Sequence, residues 1–348
     1  MLEAWLNRRW YGTARDPLLE PLAWLYGAGV SVRRSMFRRG WRRSRRPGVP
    51  VVVIGNLTVG GTGKTPLAIW LALALARRDI LVGLVSRGYG RASRAVHVLG
   101  EHSSWREVGD EPLLLHRRTR CPTAVGRDRV AAAAALIERG AQVIVADDGL
   151  QHLPLARDCE IVVVDGRRGF GNGGLLPAGP LREPLGRLRT VDAVVVNGPI
   201  EHPSLRATAW AGEALRMALV LGEARRLVSG ETRALESFKG RVHAVAAIGH
   251  PERFFRELSA HGLTPVAHPF PDHHPLSAAE LDFGDDRPVL MTEKDAVKCS
   301  QPADPRLWYV PAQACFSDAE AQRLIGLVVR KIESPSYSGS ERRGCPSA

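Results

Sequence analysis

The stretch VVVIGNLTVGGTGKTP, residues 51–66, carries the strongest structural signal in the chain. Its first residues form an unbroken apolar run, which is typical of a strand buried on both faces of a sheet. A glycine-rich turn follows, and Gly63-Lys64-Thr65 then leads into a helix with Pro66 near its first turn. A strand, a glycine-rich turn and a helix in this order predict a phosphate-binding P-loop.

The P-loop assigns a function to each of its polar groups. Lys64 is expected to reach the β- and γ-phosphates of ATP as a catalytic cation, and the Thr65 hydroxyl is expected to bind Mg²⁺. The general motif has glycine where Thr58 stands, but the strand–loop–helix context outweighs this departure. The alternative is a glycine-rich turn that contains Lys-Thr by chance. The predicted nucleotide-binding residues of the loop are Gly60, Gly61, Thr62, Gly63, Lys64 and Thr65.

Two apolar strands end in acidic residues that are candidates for the metal-binding carboxylate of a P-loop protein. VIVADD ends at Asp147 and Asp148, and IVVVD ends at Asp165. Because two adjacent acids followed by Gly149 make a sharp polar turn with more metal-binding capacity, we predict Asp147 and Asp148 as Mg²⁺ ligands. Asp165 is then a supporting group or a strand-end residue that caps a turn. His152, just after the acidic turn, acts near the metal or caps the loop.

The order of apolar strands and helices predicts an α/β fold, with a mostly parallel sheet covered by helices on both faces. A chain of 348 residues is long enough for two domains. A second, smaller α/β unit is expected to begin after about residue 215. We predict four segments: an N-terminal amphipathic helix (1–46), a P-loop core (47–215), a smaller domain closing over the active site (216–333) and a disordered tail (334–348).

Composition restricts the environment and the partners of the chain. The five cysteines are scattered and include no C-x-x-C pair, which argues against a disulfide framework or a zinc knuckle and fits a reducing cytoplasm. The formal charge is +12, and 43 arginines against five lysines indicate a composition bias. Residues 33–46 alone hold eight arginines and no acid. This segment is suited to an anionic membrane or to nucleic acid.

The N-terminal region is predicted to bind an anionic membrane surface through one long helix over residues 17–46. Arginines cover one side of this helix, and such an amphipathic helix lies at the headgroup boundary. The alternative is a helix packed on its own domain with a solvated arginine face. No apolar run is long enough to span a bilayer, and the N-terminus does not look like a signal peptide, so we expect a cytoplasmic, peripheral protein. The apolar stripe comprises Leu22, Leu25, Val32, Met36, Phe37 and Trp41, with Gly29 filling a gap.

Further motifs give the chain a family resemblance. SRGYGR, GDEP, DDGLQH and GFGNGGLLPAGPLREP follow the P-loop in this order, and HPERFF, FPDHH and TEKDAVK come after them. Over residues 15–330 the set resembles the tetraacyldisaccharide 4'-kinases, the lipid A 4'-kinases of Gram-negative bacteria; Leu150 departs from the Phe often found there. The resemblance implies transfer of the ATP γ-phosphate to the 4'-hydroxyl of a lipid A disaccharide 1-phosphate, at the cytoplasmic face of the inner membrane.

Phosphoryl transfer also needs a group that orients the hydroxyl and accepts its proton. Our candidates are Asp110 of GDEP and His273 of FPDHH, which lie in different predicted domains and would meet on closure. The alternatives are that Asp110 is a helix N-cap and that His273 is an ordinary loop histidine. In the second case Asp272 or His274 would be the relevant neighbour. The glycine-rich segment 169–184 is expected to bring Arg182 to phosphate and Glu183 to Mg²⁺, or else to present both to solvent. The side chains of TEKDAVK receive no individual assignment.

Two other functions are consistent with parts of the sequence. A P-loop ATPase switch shares the loop and the acidic turn but does not need an amphipathic helix or the histidine-containing segment. A nucleic-acid-binding NTPase would use the run from Arg33 to Arg46 on phosphates. The apolar and aromatic helix face and the lack of an RNA-binding module signature argue against it, so no nucleic acid partner is expected.

Overall fold

A computed structural model describes residues 2–12, 16–89, 91, 93, 95–299 and 304–334, without the side chains of residues 2–4 and 211. Fifteen strands lie within these residues. They are β1 (Val51–Gly55), β2 (Val82–Ser86), β3 (His97–Val98), β4 (Thr123–Val125), β5 (Val143–Asp147), β6 (Cys159–Asp165), β7 (Ala193–Asn197), β8 (Leu215–Leu221), β9 (Ala224–Arg226), β10 (Thr232–Arg233), β11 (Arg241–Ala246), β12 (Thr264–Pro269), β13 (Val289–Thr292), β14 (Leu307–Val310) and β15 (Ala312–Cys315).

Ten α-helices accompany the strands in the described part of the chain. Several begin at a side-chain cap: the Asp128 carboxylate accepts hydrogen bonds from the N–H groups of Val130 and Ala131, and Ser317 accepts one from Glu320. The helices are α1 (Leu2–Trp10), α2 (Glu20–Arg38), α3 (Lys64–Ala76), α4 (Trp105–Val108), α5 (Asp110–Thr119), α6 (Arg129–Ile137), α7 (Pro203–Arg206), α8 (Pro251–Ala260), α9 (Glu293–Ala296) and α10 (Asp318–Ile332).

The larger sheet has the strand order β15-β8-β7-β6-β1-β5-β2-β4-β3. Its neighbours from β8 to β4 are parallel, and one antiparallel strand closes each edge. Side chains alternate between two cores: Val52 and Ile54 pack with α3, α5 and α10, whereas Val51 and Val53 pack with α6 on the other face. The fold class predicted from the sequence, a mostly parallel sheet covered on both faces, is confirmed.

The smaller sheet has the order β10-β9-β14-β13-β11-β12, with β14 to β12 parallel, and α8 packs against it. We call residues 224–310 the second unit, and residues 51–221 with 312–332 the first unit. The predicted domain limits do not follow the sheets, because β8 crosses residue 215 and pairs with β7. β15 and α10 lie before residue 333, yet they complete the larger sheet and its core. The division into domains stays a prediction, and residues 335–348 of the predicted tail lie outside the described residues.

The expected single helix over residues 17–46 is shorter in the structure. It ends at Arg38, because Gly40 adopts the left-handed conformation that terminates a helix. The arginine-rich segment that follows is extended at Arg45, whose N–H donates to Pro154 and whose carbonyl accepts from Ala156. Within the predicted N-terminal segment 1–46, α1 is a second, separate helix that was not anticipated. Among the described residues, no helix combines the length and apolarity that crossing a bilayer requires.

Candidate active site

The P-loop joins β1 to α3 at the carboxyl edge of the larger sheet. Gly60 and Gly63 both have φ of +99°, a conformation that glycine adopts without strain. A Cβ on Gly63 would also lie 2.8 Å from the amide nitrogen of Asn197, which donates to the Thr62 carbonyl. None of the described side chains caps the first turn of α3. Its backbone N–H groups and the positive end of its dipole are therefore open to a phosphate.

The predicted metal ligands Thr65 and Asp147 are in contact. The Thr65 hydroxyl donates to Oδ2 of Asp147 at 3.0 Å, since Asp147 ends β5, the strand next to β1. Asp147 is almost fully buried, and its Oδ1 has no hydrogen-bond partner among the described groups. Burial and the neighbouring carboxylates of Glu111 and Asp148 raise the pKa of Asp147. An unpartnered oxygen on a buried carboxylate beside a P-loop threonine fits the oxygen ligands that Mg²⁺ requires.

Asp148, the second acid of the pair, connects the P-loop lysine to Arg182. Its Oδ1 lies 3.6 Å from Nζ of Lys64, and both of its oxygens lie 3.5 Å from Nη1 of Arg182. Burial alone would raise the pKa of Asp148, but Lys64, Arg182 and Arg129 outweigh it and lower the pKa. The three predicted residues Lys64, Asp148 and Arg182 therefore form one charged group beside the glycine-rich turn.

The glycine-rich segment 169–184 packs along the start of the P-loop. The Arg182 N–H donates to the Leu57 carbonyl, and Val59 donates to Pro180. Arg182 thus faces the P-loop, as expected. The structure does not bring Glu183 to Thr65 or Asp147: its buried carboxylate lies against Arg34, Gln151 and Arg187.

Asp110 and His273 form a carboxylate–imidazole pair. Nδ1 of His273 lies 2.8 Å from Oδ2 and 3.1 Å from Oδ1 of Asp110. Asp110 opens α5 in the first unit, whereas His273 belongs to the second unit. Burial would raise the pKa of Asp110, but the hydrogen bond from His273 and the ammonium groups of Lys294 and Lys298 lower it. Burial would lower the pKa of His273, but Asp110 outweighs it, so that pKa is raised.

The structure agrees only in part with the alternative roles considered for Asp110 and His273. Gly109, not Asp110, is the N-cap of α5, although Oδ1 of Asp110 accepts from the N–H of Glu111. Asp272 lies 3.7 Å from Nε2 of His273, and His274 pairs with Glu280 instead.

Asp165 and His152, two further candidates from the sequence, have surroundings that indicate structural roles. Asp165 caps a turn, where its Oδ1 accepts from the N–H groups of Arg167 and Arg168. Burial, together with Arg129 and Arg157, lowers the pKa of His152 to about 4, so its imidazole is neutral at pH 7.

Sequence reasoning missed the lysines of TEKDAVK. Nζ of Lys294 lies 3.0 Å from Oε1 of Glu111, 3.3 Å from Oδ1 of Asp272 and 3.9 Å from Oδ2 of Asp110. Lys298 is buried, 2.8 Å from Asp295 and 3.9 Å from Oδ2 of Asp110. The rarity of lysine in this arginine-rich chain was the available signal, because three of its five lysines lie at the site: Lys64, Lys294 and Lys298.

One cavity of about 1230 Å³ is lined by groups from both units. The P-loop, Asp148 and Arg182 line it from the first unit, and His273 and Lys294 line it from the second. The backbones approach closely there, since a Cβ on Gly249 would lie 3.4 Å from the Gly61 nitrogen. This volume is large enough for a nucleotide and part of a second substrate.

Comparisons with known proteins agree over nearly the whole chain. A family model described as Tetraacyldisaccharide-1-P 4'-kinase matches residues 15–330. A tetraacyldisaccharide 4'-kinase of Alkalilimnicola ehrlichii is 52% identical over 318 residues, covering 91% of this chain and 93% of that protein. One of Aromatoleum aromaticum is 50% identical over 311 residues, covering 88% and 92%. A crystal structure of "apo" form LpxK from Aquifex aeolicus in complex with ATP has a TM-score of 0.73 and 26% identity, covering 95% of this chain and 100% of that one.

Proposed function

This chain belongs to the tetraacyldisaccharide-1-P 4'-kinase family, and we propose that it transfers the γ-phosphoryl group of ATP to the 4'-hydroxyl of a tetraacylated disaccharide 1-phosphate, a step of lipid A biosynthesis. The observation that carries the mechanism is that the P-loop and His273, whose imidazole Asp110 holds from behind, line one cavity. A nucleotide-binding loop opposite a proton acceptor is the arrangement that phosphoryl transfer to an alcohol requires.

The ATP side of the reaction is assigned to the first unit. The free N–H groups of the P-loop and the Lys64 ammonium hold the phosphates, and Arg182 adds planar donors beside them. Thr65 and Asp147, with Asp148 adjacent, would hold Mg²⁺. When bound, the ion neutralises the charge on the β- and γ-phosphates. ATP as the donor is supported by the ATP complex of the structural neighbour.

The acceptor side is assigned to the Asp110–His273 pair. Asp110 is 4% exposed and holds Nδ1 of His273, whose side chain is 25% exposed and reaches the cavity. The pair can therefore orient a hydroxyl and accept its proton, with the imidazole sharing the positive charge. Glu183 as a further Mg²⁺ ligand would need to leave Arg34 and Arg187, so we assign it to anchoring the loop against α2.

We infer that α2 places the active site at an anionic membrane surface, on the cytoplasmic face of the inner membrane. The helix faces the protein through Ala23, Tyr26 and Arg33, of which Tyr26 donates to the Arg182 carbonyl and Arg33 to Gln151. Its large apolar side chains point outward instead, beside an exposed arginine-rich segment. Outward apolar groups next to cations suit a lipid headgroup region. The exposed apolar residues on α2 are Leu22, Trp24, Leu25 and Val32, with Leu18 just before the helix and Trp41 just after it.

The test is transfer of radiolabel from ATP, with Mg²⁺, to detergent-dispersed disaccharide 1-phosphate, followed by thin-layer separation. We expect label on the lipid in the wild type and in Lys239→Ala, a surface control, and its loss in Lys64→Ala. Label that appears only as free phosphate, with or without lipid, would overturn the kinase in favour of an ATPase switch.

A further inference from the structure

Asp295 and Lys298 form a buried ion pair that holds Ala247, the residue directly after β11. Oδ2 of Asp295 accepts from the Ala247 N–H at 3.0 Å, and Nζ of Lys298 lies 3.3 Å from the Ala247 carbonyl. The two charged groups are 2.8 Å apart. The Thr292 hydroxyl, at the N-cap of α9, donates to Oδ2 of Asp295 at 2.6 Å and fixes the carboxylate. Both polar backbone groups of Ala247 are therefore held by one ion pair.

The Ala247 carbonyl also holds the backbone of His273. It accepts a hydrogen bond from the His273 N–H at 3.3 Å. His273 has φ of +64°, a left-handed conformation that a residue with a side chain adopts only when its surroundings impose it. The Asp295–Lys298 pair thus acts on the direction of the imidazole through Ala247.

Lys298 also faces the other member of the reacting pair. Its ammonium lies 3.9 Å from Oδ2 of Asp110, across the junction of the two units. Lys298 is 1% exposed and Asp295 is 0% exposed, so little solvent screens this charge. The ammonium favours the charged form of Asp110, which is the form that accepts a proton.

The identity of residue 298 as lysine supports a requirement for a compact cation at this position. The chain contains 43 arginines and five lysines, all five within the described residues, and Lys298 is the most buried of them. An ammonium is compact: Nζ of Lys298 donates to the Ala247 carbonyl and lies beside the carboxylates of Asp295 and Asp110. A planar guanidinium cannot replace that arrangement in the same volume.

We propose that Asp295 and Lys298 are positioning residues for phosphoryl transfer, which fix the backbone of His273 and hold a cation beside Asp110. This inference rests on the proposed kinase function. Neither residue contacts the nucleotide-binding loop, so both act on turnover through the Asp110–His273 pair and leave nucleotide binding unchanged.

The experiment is a double-mutant cycle on label transfer to the disaccharide lipid, with Lys298→Met and Asp110→Asn. We expect Lys298→Met to lower kcat by at least ~10-fold, a part of the ~10²–10⁴-fold that a positioned proton acceptor contributes. KM for ATP should stay within about twofold, and in the Asp110→Asn background Lys298→Met should cost less than about threefold. Lys239→Met is the matched surface control. Circular dichroism establishes that each variant is folded.

The outcomes separate this inference from the kinase function. If the wild type does not label the lipid, the proposed function fails. If the wild type is active, either a normal kcat in folded Lys298→Met or an equal loss in both backgrounds overturns the positioning role. Should Lys298→Met not fold, Asp295→Asn gives the same test, because it keeps a side chain of the same size and removes the charge opposite Lys298. Its kcat should fall in the wild-type background and change little beside Asp110→Asn, and a normal kcat overturns the inference.

Discussion

Replacement of Lys294 by methionine tests whether charge holds the two units together. The Lys294 ammonium lies between 3.0 and 3.9 Å from carboxylate oxygens of Glu111, Asp272 and Asp110, and its side chain is 16% exposed. At an effective dielectric constant of about 20, each of these contacts supplies roughly 4–6 kcal/mol of attraction. Burial would lower the pKa of Lys294, but the three carboxylates raise it, so the lysine is charged at neutral pH. The methionine variant leaves three acids facing one another.

The net loss of stability is smaller than the attraction, because burying the charges also removes their hydration. Breaking a buried ion pair from one side costs about 3–5 kcal/mol, and we expect Lys294→Met to lower the free energy of unfolding by that amount. Lys331→Met is the matched control: Nζ of Lys331 lies 2.6 Å from Oδ1 of Asp192, but its side chain is 45% exposed. Such a surface pair contributes only about 0–1 kcal/mol.

Urea unfolding of the wild type and both variants at neutral pH measures the two losses. Equal losses, both within about 1 kcal/mol, would refute the reasoning, because they would mean that solvent screens Lys294 as fully as it screens Lys331.

Three further predictions concern the metal, the reacting pair and the membrane. Thr65→Val removes the hydroxyl beside Asp147, and we expect the Mg²⁺ concentration for half-maximal label transfer to rise at least ~10-fold; an unchanged Mg²⁺ titration contradicts the metal assignment. Burial lowers the pKa of His273, but Asp110 outweighs burial, so that the pKa is raised in the folded state. The pair therefore stabilises the fold fully below the unfolded-state pKa of about 6.5, and this stabilisation is lost as pH rises through the folded-state pKa. The difference in unfolding free energy between wild type and His273→Gln should therefore shrink from about pH 6 to about pH 9, and a constant difference argues against it. Leu25→Glu on the outward face of α2 should weaken sedimentation with anionic vesicles about 10-fold, whereas Leu81→Glu, on a different exposed surface, should not; equal binding by both variants would exclude α2 as the contact.

Elements formed by local signals could be predicted from the sequence closely. The apolar spacing in the sequence predicts helices over residues 110–119 and 318–332 and a strand over 289–292, and α5, α10 and β13 have these bounds in the structure. Each has an apolar pattern with polar or glycine residues at its ends. The end of α2 was missed because one left-handed glycine outweighs the favourable pattern on both sides of it.

Long-range pairing explains the remaining differences in the fold. β8 and β15 are separated by the whole second unit, yet they pair with each other at the edge of the larger sheet. No local pattern distinguishes a strand that pairs within its own unit from one that pairs across an insertion. Sequence order alone therefore gives no reason to place β8 and β15 side by side in the larger sheet.

The site was predictable where its residues follow one another in the chain. The P-loop and the acidic turn are short motifs that end adjacent parallel strands, so their meeting follows from the topology. The environment of Asp110 depends instead on residues more than 150 positions away, which approach it only when the second unit packs on α5. The charge of a side chain does not reveal which distant residue it contacts. For this reason no individual roles could be assigned from the sequence to the side chains of TEKDAVK.

The insertion of the second unit between β8 and β15 has a consequence for biosynthesis. While the chain emerges from a ribosome, β8 remains an open sheet edge, and the apolar surface of α3 lacks the cover of α10, until the whole second unit, β15 and α10 have been made. Open edges and uncovered apolar surface are where nascent chains aggregate or recruit chaperones. A translation stop between Val310 and Asp318 would release a product that has its active-site loops and an unfinished core, so we expect completion of β15 and α10 to decide whether the product passes quality control.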